Sequence, residues 1–227
     1  MQYQDLALRI DNLRVVAFDW DNTLSLNRDA LVKSINEVLA EYGMPKWDII
    51  KTRRDSDLSF KDNFPLIFGS NHIEAYKKYC EFYIDFAPRI VQSPVGAVEL
   101  LSFFRENNIK TVIVTNKDRL LLDFELPLLY DKRLFDNIVC GHEASRDKPN
   151  PEQLQFAVKN WVEDITSDNV WMIGDSAMDS KCALAAGARA VRIGQSIWND
   201  VENKDERIAY FADFSSLQKA IKELMNA

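Results

Sequence analysis

The sequence predicts an α/β fold: a doubly wound parallel sheet core with a small all-helical insertion after its first strand. Three observations predict it. Short runs rich in Val and Ile recur along the chain, apolar throughout rather than alternating, as in strands buried on both faces. Helical periodicities separate them, the order expected of strand–helix–strand units. Residues from about 27 to 93 break this rhythm and offer no strong strand.

The first strand is predicted at Arg14 to Phe18, four apolar residues running up to Asp19. The insertion follows. Asn27 is placed to cap a helix carrying Leu31, Ile35, Val38, Leu39 and Tyr42, with Gly43 as its stop. Ser70 or Asn71 starts another, with Ile73, Tyr76, Tyr79, Cys80 and Tyr83 at helical spacing. A polar, partly basic stretch from Lys51 to Lys61 lies between them. Past residue 93 the alternation resumes. Val95, Val98, Leu101 and Phe104 predict one helix face, and Lys110 to Val114 the second strand. Asn137 to Cys140 is the third strand. Asn150, Pro151 and Glu152 read as a helix start leading into Leu154, Ala157, Val158 and Trp161. Asn169 to Ile173 and Arg189 to Ile193 are the last strands, with a small-residue helix from Met178 to Ala186 between them that Gly187 stops. Ser215 opens a final helix with Leu217, Ile221 and Leu224 on its face.

Length and composition bound the function. With 227 residues the chain can form one large domain, or one domain with a smaller one inserted. A hydrophobic share of 47% and a charged share of 28% are those of a globular protein. A net charge of −7 argues against a nucleic-acid binder that works by neutralising phosphates. It leaves room for a small anionic substrate, because a local cation cluster overrides the global sign. No apolar run approaches the roughly 20 residues that span a bilayer, so no membrane association is expected. The N-terminus lacks a basic start followed by an apolar core, so no signal peptide is expected. Cys80, Cys140 and Cys182 are widely spaced, which disfavours a disulfide scaffold or thiolate zinc site and fits a reducing cytoplasm. With His72 and His142 as the only histidines, a Ser-His-Asp hydrolase is poorly supported. The sequence has no Gly-x-Ser-x-Gly, no Gly-x-Gly-x-x-Gly and no phosphate loop.

Four segments stand at the predicted C-terminal ends of strands, where open parallel sheets bind ligands. They are Asp19-Trp20-Asp21-Asn22-Thr23, Thr115-Asn116-Lys117, Arg146-Asp147-Lys148-Pro149 and Gly174-Asp175-Ser176 with Asp179. The spacing of Asp19 and Asp21 points both carboxylates to one side of an extended chain. Like charges that close require a metal ion, a shared proton or a cationic neighbour. These parts suit phosphoryl transfer. A carboxylate can attack phosphorus and a second carboxyl can manage protons. Further carboxylates can hold Mg²⁺, a hard ion that prefers oxygen. A hydroxyl and a lysine can bind the transferring oxygens. Each segment alone has an ordinary reading as a solvated turn or a helix cap; their joint order at strand ends gives them weight.

All four segments, in this order, resemble the motifs of the haloacid dehalogenase superfamily, and the likeness covers most of the chain outside the insertion. The insertion resembles the helical cap of its phosphoglycolate phosphatase and beta-phosphoglucomutase branch. Lys148-Pro149-Asn150-Pro151-Glu152 and the run from Gly174 to Gly187 add to that likeness. The resemblance implies a Rossmann-like catalytic core at 1–26 and 94–227 and a specificity cap at 27–93. It implies Asp19 as nucleophile and Asp21 as general acid and base, with the Asp21 main-chain carbonyl on the metal. Thr115 and the Asn116 amide would bind the phosphoryl group, helped by backbone amides near Trp20. Lys148 would steady nucleophile and phosphate. Asp175 would ligate Mg²⁺, with Asp19 and Asp21 in the metal shell and Asp179 supporting it. Trp20 itself reads as a packing residue. In the cap, Arg53, Arg54 and Lys61 are candidates to bind a second anionic group on the substrate.

Family members that displace halide from carbon lack a carboxyl at the position of Asp21 and need no Mg²⁺. Its presence moves the expectation to phosphorus. The phosphonate-cleaving branch uses a cap lysine, and Lys33, Lys46, Lys51 and Lys61 match no such pattern. The expected function is therefore a cytoplasmic Mg²⁺-dependent phosphatase acting on a small phosphorylated metabolite through an aspartyl-phosphate. A phosphomutase and a catalytically silent phospho-ligand-binding module are the alternatives. Oligomeric state is left open.

Overall fold

The computed structural model describes residues 8, 10–47, 59–194 and 207–225. Lys51, Arg53 and Arg54 lie outside the described residues. All five expected strands form: β1 (Val15–Phe18), β2 (Lys110–Val114), β3 (Asn137–Val139), β4 (Val170–Gly174) and β5 (Arg189–Ile193). A sixth, β6 (Ile208–Phe211), was not expected; its Ile-Ala-Tyr-Phe run is too short to stand out and adds an edge beside β5. Every pairing is parallel, in the order β3-β2-β1-β4-β5-β6. Successive strands step outward in one direction from β1 to β3, then in the other from β4 to β6. The reversal falls between β1 and β4, and a crevice opens there at the strand C-termini.

Alternation along the strands builds two cores. Val16, Phe18, Ile113, Trp171 and Ile173 face one layer, where α4 (Ala97–Glu106) and α8 (Phe214–Met225) pack. Val15, Ala17, Val112, Val114, Val170 and Met172 face the other, under α6 (Glu152–Val158) and α7 (Ala177–Ala186). Both faces are covered, which is why the strands carry no polar alternation. After β2 comes α5 (Arg119–Leu129), a helix that was not among the expected ones.

The insertion is helical as expected. It comprises α1 (Arg28–Glu41), the short α2 (Phe64–Phe68) and α3 (His72–Phe86). These bury Leu31, Ile35, Val38, Phe64, Tyr79 and Tyr83 against one another, and Leu121 of α5 joins them. The insertion is thus seamed to the sheet layer through α5.

Helix details differ from expectation: in α3, Ile73, expected on the packed face, is 74% exposed, and the buried face starts at Ala75. In α4 the buried face is Ala97, Leu100, Leu101 and Phe104, whereas Val95 is 86% exposed and Val98 42%. Gly96, at φ +85°, turns the chain into the helix after Val95, so Val95 precedes the periodic face. In α8 Phe214 is buried and Leu224 is 39% exposed. Asn27 does not cap α1 through its side chain. Its carbonyl accepts the Leu31 N–H at 3.0 Å while its amide turns toward the acidic groups Asp21 and Glu125.

The shifted phase of α4 has a measurable consequence. Leu100→Ala is expected to lower unfolding stability by about 2–5 kcal/mol, the usual range for a buried leucine. Val95→Ala should stay within about 0.5 kcal/mol, as for an exposed site. Urea denaturation of the two variants checks the assignment.

Candidate active site

Asp19 follows the last residue of β1, and its N–H donates to Ile173 O of β4 at 2.8 Å, so the sheet itself fixes its backbone. Its side chain is buried at the crevice. Lys148 reaches it from the loop after β3: Nζ donates to Asp19 Oδ1 at 2.7 Å and to Asp179 Oδ1 at 2.7 Å. The Thr23 hydroxyl donates to Asp19 Oδ2 at 3.3 Å. The loop carrying Lys148 is clamped from β2's end. The Asn116 amide donates to Lys148 O at 2.8 Å, and Asn116 Oδ1 accepts the Lys148 N–H at 3.1 Å. Gln153 of α6 donates to Thr115 O and Cys140 O, tying the same loop to β2 and β3. The Asn116 side chain therefore serves the loop, leaving its main chain as the part available to a ligand.

Asp175 and Asp179 come from the strand-to-helix turn after β4. Asp179 lies in the first turn of α7 and accepts from the Ser176 N–H at 3.1 Å and hydroxyl at 2.6 Å, a capping-box arrangement. Gly174 permits this: a Cβ there would lie 2.3 Å from Asp179 Oδ2. Asp19, Asp175 and Asp179 each offer a carboxylate oxygen, all within 4.8 Å of one another. Asp175 Oδ2 is buried without a hydrogen-bond partner, while the Asp175 carbonyl accepts from Arg192 at 2.8 Å.

The electrostatics follow from this crowding. Burial pushes the Asp19 carboxyl up to about 7 against the pull of Lys148, with Asp179 and Asp21 adding to the rise. Burial also drives Asp175 well above the carboxylate range, reinforced by Asp19 and Asp179. For Lys148 burial acts downward, but the charges of Asp179 and Asp19 outweigh it and the net shift is up. For Asp175 the pull of Arg192 and Lys148 does not outweigh burial and the neighbouring carboxylates. An all-oxygen anionic donor set with an orphaned buried oxygen fits a hard divalent cation.

Thr115 is buried at the end of β2, its hydroxyl accepting the Lys117 N–H at 3.1 Å. Trp20 does not offer its side chain to the site: the indole is fully buried, 5.7 Å from the Tyr130 ring centroid in an edge-on contact. Asp21 stands apart from the trio. Its Oδ1 accepts from Lys117 Nζ at 2.8 Å and from the Asn27 amide. Lys61 lines the same cavity but is paired with Asp118 at 2.8 Å. The cavity holds about 100 Å³ and is lined on the insertion side by Phe60, Tyr76 and Tyr79 among others.

Sequence reasoning gave no role to Lys117, Glu125 or Gln153 and read Asn27 as a cap. Glu125 carried a signal. It falls three residues after Leu122 and four after Leu121, on the buried face of α5, where an acid needs a partner.

Because Asp19 takes up its proton more readily folded than unfolded, its contribution opposes folding increasingly as pH rises from about 4 to about 7. Asp19→Asn is therefore expected to raise the Tm of metal-free protein, more at pH 8 than at pH 5. Thermal unfolding in chelator across that range measures it.

Residues 16–193 match the family model described as haloacid dehalogenase-like hydrolase. The chain is 27% identical over 193 residues to phosphoglycolate phosphatase 1 of Pseudomonas aeruginosa, covering 79% of this chain and 69% of that protein. It is 25% identical over 190 residues to pyrophosphatase PpaX of Bacillus cereus, covering 82% and 85%. Among solved structures it is similar to CbbY from Rhodobacter sphaeroides in complex with phosphate, at a TM-score of 0.76 and 16% identity, covering 90% and 96%. That last likeness is one of fold. With its motifs at the crevice and the model matched over most of its length, the chain belongs to the haloacid dehalogenase-like hydrolase family.

Proposed function

We propose that this enzyme is a Mg²⁺-dependent phosphatase that hydrolyses a small phosphate monoester through an aspartyl-phosphate on Asp19. The carrying observation is the buried Asp19 carboxylate at the switch point, paired with Lys148 and facing Asp175 and Asp179. The pyrophosphatase and phosphoglycolate phosphatase relatives support the reaction class.

In this reading an Asp19 oxygen attacks phosphorus and the bond to the leaving oxygen breaks. Asp21 gives that oxygen its proton, then takes one from the water that attacks the phosphoryl group. Lys148 stays cationic at working pH and offsets negative charge on nucleophile and phosphoryl oxygens. The Thr115 hydroxyl and the Asn116 main chain bind those oxygens. Asp19, Asp175 and the Asp21 carbonyl would hold Mg²⁺, with Asp179 in support; when bound, the ion neutralises the crowded carboxylates and polarises the phosphoryl group. Residues 27–93 act as a cap: Phe60, Tyr76 and Tyr79 exclude water and shape the space for the alcohol portion. Among the described residues no helix is long and apolar enough to cross a membrane.

A panel of phosphate esters, assayed with and without Mg²⁺, tests the proposal. Phosphate release that needs Mg²⁺ and vanishes in Asp19→Asn supports it. An isomerised sugar phosphate without free phosphate points to a mutase instead. In Asp175→Asn, Mg²⁺ affinity by calorimetry should fall by more than the roughly 10–100-fold lost with an outer-shell partner.

A further inference from the structure

Behind Asp21 lies a second buried charge cluster that the chemistry above does not use. Lys117 is 4% exposed in its side chain, and Nζ contacts Asp21 Oδ1 at 2.8 Å, Glu125 Oε2 at 2.9 Å and Tyr83 OH at 3.1 Å. An ammonium has three protons, and these three acceptors take them up. The charge also lies 4.3 Å from the Tyr83 ring centroid. Glu125 is fully buried and equally occupied. Oε2 accepts from Tyr83 OH at 2.7 Å and from Lys117; Oε1 accepts from the Ser25 hydroxyl and from the Asn27 amide at 3.2 Å. The Asn27 amide is shared with Asp21. Both donors to the Asp21 carboxylate are thus fixed by one carboxylate, Glu125.

A lysine at the mouth of a phosphate site has an obvious alternative use, as a receptor for a second anion on the substrate. Its saturated proton set and deep burial argue against that. A buried lysine is retained only where close partners offset desolvation, and here the two carboxylates do so.

We propose that Lys117, braced by Glu125 and Tyr83, is the positioning residue that holds the Asp21 carboxylate in place for its two proton transfers. The proposal rests on the phosphatase reading for its chemistry, though not for its geometry. The first transfer matters when an alkoxide leaves; it matters little for nitrophenolate, which departs without a proton. The second, from water during cleavage of the Asp19–phosphoryl bond, is needed for every substrate.

The test compares wild type with Lys117→Met on 4-nitrophenyl phosphate and on the best alkyl phosphate of the panel. With 4-nitrophenyl phosphate, the variant should give a burst of about one nitrophenolate per site, followed by slow turnover with labelled Asp19. With the alkyl ester kcat should fall about 10²-fold, within the usual worth of acid–base catalysis, at unchanged KM. Raised KM with kcat preserved would assign Lys117 to substrate binding and overturn the proposal. Equal losses on both substrates without a burst would make its role merely structural and overturn the proposal as well. Lys117→Met/Glu125→Gln leaves no unpaired buried carboxylate and should show the same burst if the single variant folds poorly. A crystal structure of either variant reads the geometry without activity: Asp21 displaced from Asn27 supports the proposal, and Asp21 unmoved sinks it. A wild type that neither releases phosphate nor labels Asp19 defeats the phosphatase reading, while the Asp21 position still decides the role of Lys117.

Discussion

The Lys148 ammonium, held between Asp19 and Asp179, is the interaction on which the rest of the site depends. It joins three remote parts of the chain: the loop after β1, the loop after β3 and the first turn of α7. A shift of the loop after β3 would strip both buried carboxylates of their shared cation, which is far costlier than losing an exposed ion pair. Gln153 and Asn116 gain their importance from this, since they fix the loop that delivers the ammonium. Gly174 gains its own by letting Asp179 come close enough to be reached.

The same device occurs twice. Lys148 lies between Asp19 of the β1 loop and Asp179 of α7; Lys117 lies between Asp21 of that loop and Glu125 of α5. Each aspartate of the Asp-Trp-Asp segment thus has its own cation, and each cation is anchored by a helix carboxylate. This separates two acids that would otherwise repel each other across two residues. Asp175 differs: Arg192 and Lys148 oppose its rise without outweighing burial, and one of its buried oxygens is unpartnered, where a divalent cation would enter.

How legible this was depended on whether the cause was local. Strand cores such as Val15–Phe18 and Lys110–Val114 stand out, because burial on both faces demands unbroken apolar residues. The gathering of Asp19, Lys148 and Asp175 at one crevice was legible because all three fall in loops that leave the C-terminal ends of strands. The second cluster was not. Asn27 is an unremarkable cap by local rules, and tertiary contact diverts its amide to Asp21 and Glu125. Tyr83 carries the spacing of a packing residue and does pack, yet its hydroxyl also donates to Glu125. β6 escaped because an edge strand of four residues has too little pattern to read, and the α4 face was misphased because Gly96 delays the helix past Val95.

The central place of β1 bears on how the chain is made. Val15–Phe18 leaves the ribosome before the strands it pairs with, β2 and β4. Until both are synthesised, an apolar segment with two open hydrogen-bonding edges must wait in the nascent chain, and such edges invite pairing with other chains. The helical insertion is the next segment to emerge, and its own core of Leu31, Ile35, Phe64 and Tyr79 is assembled from local sequence. Placed directly after β1, it gives the newborn chain something to fold while that strand is still without a partner.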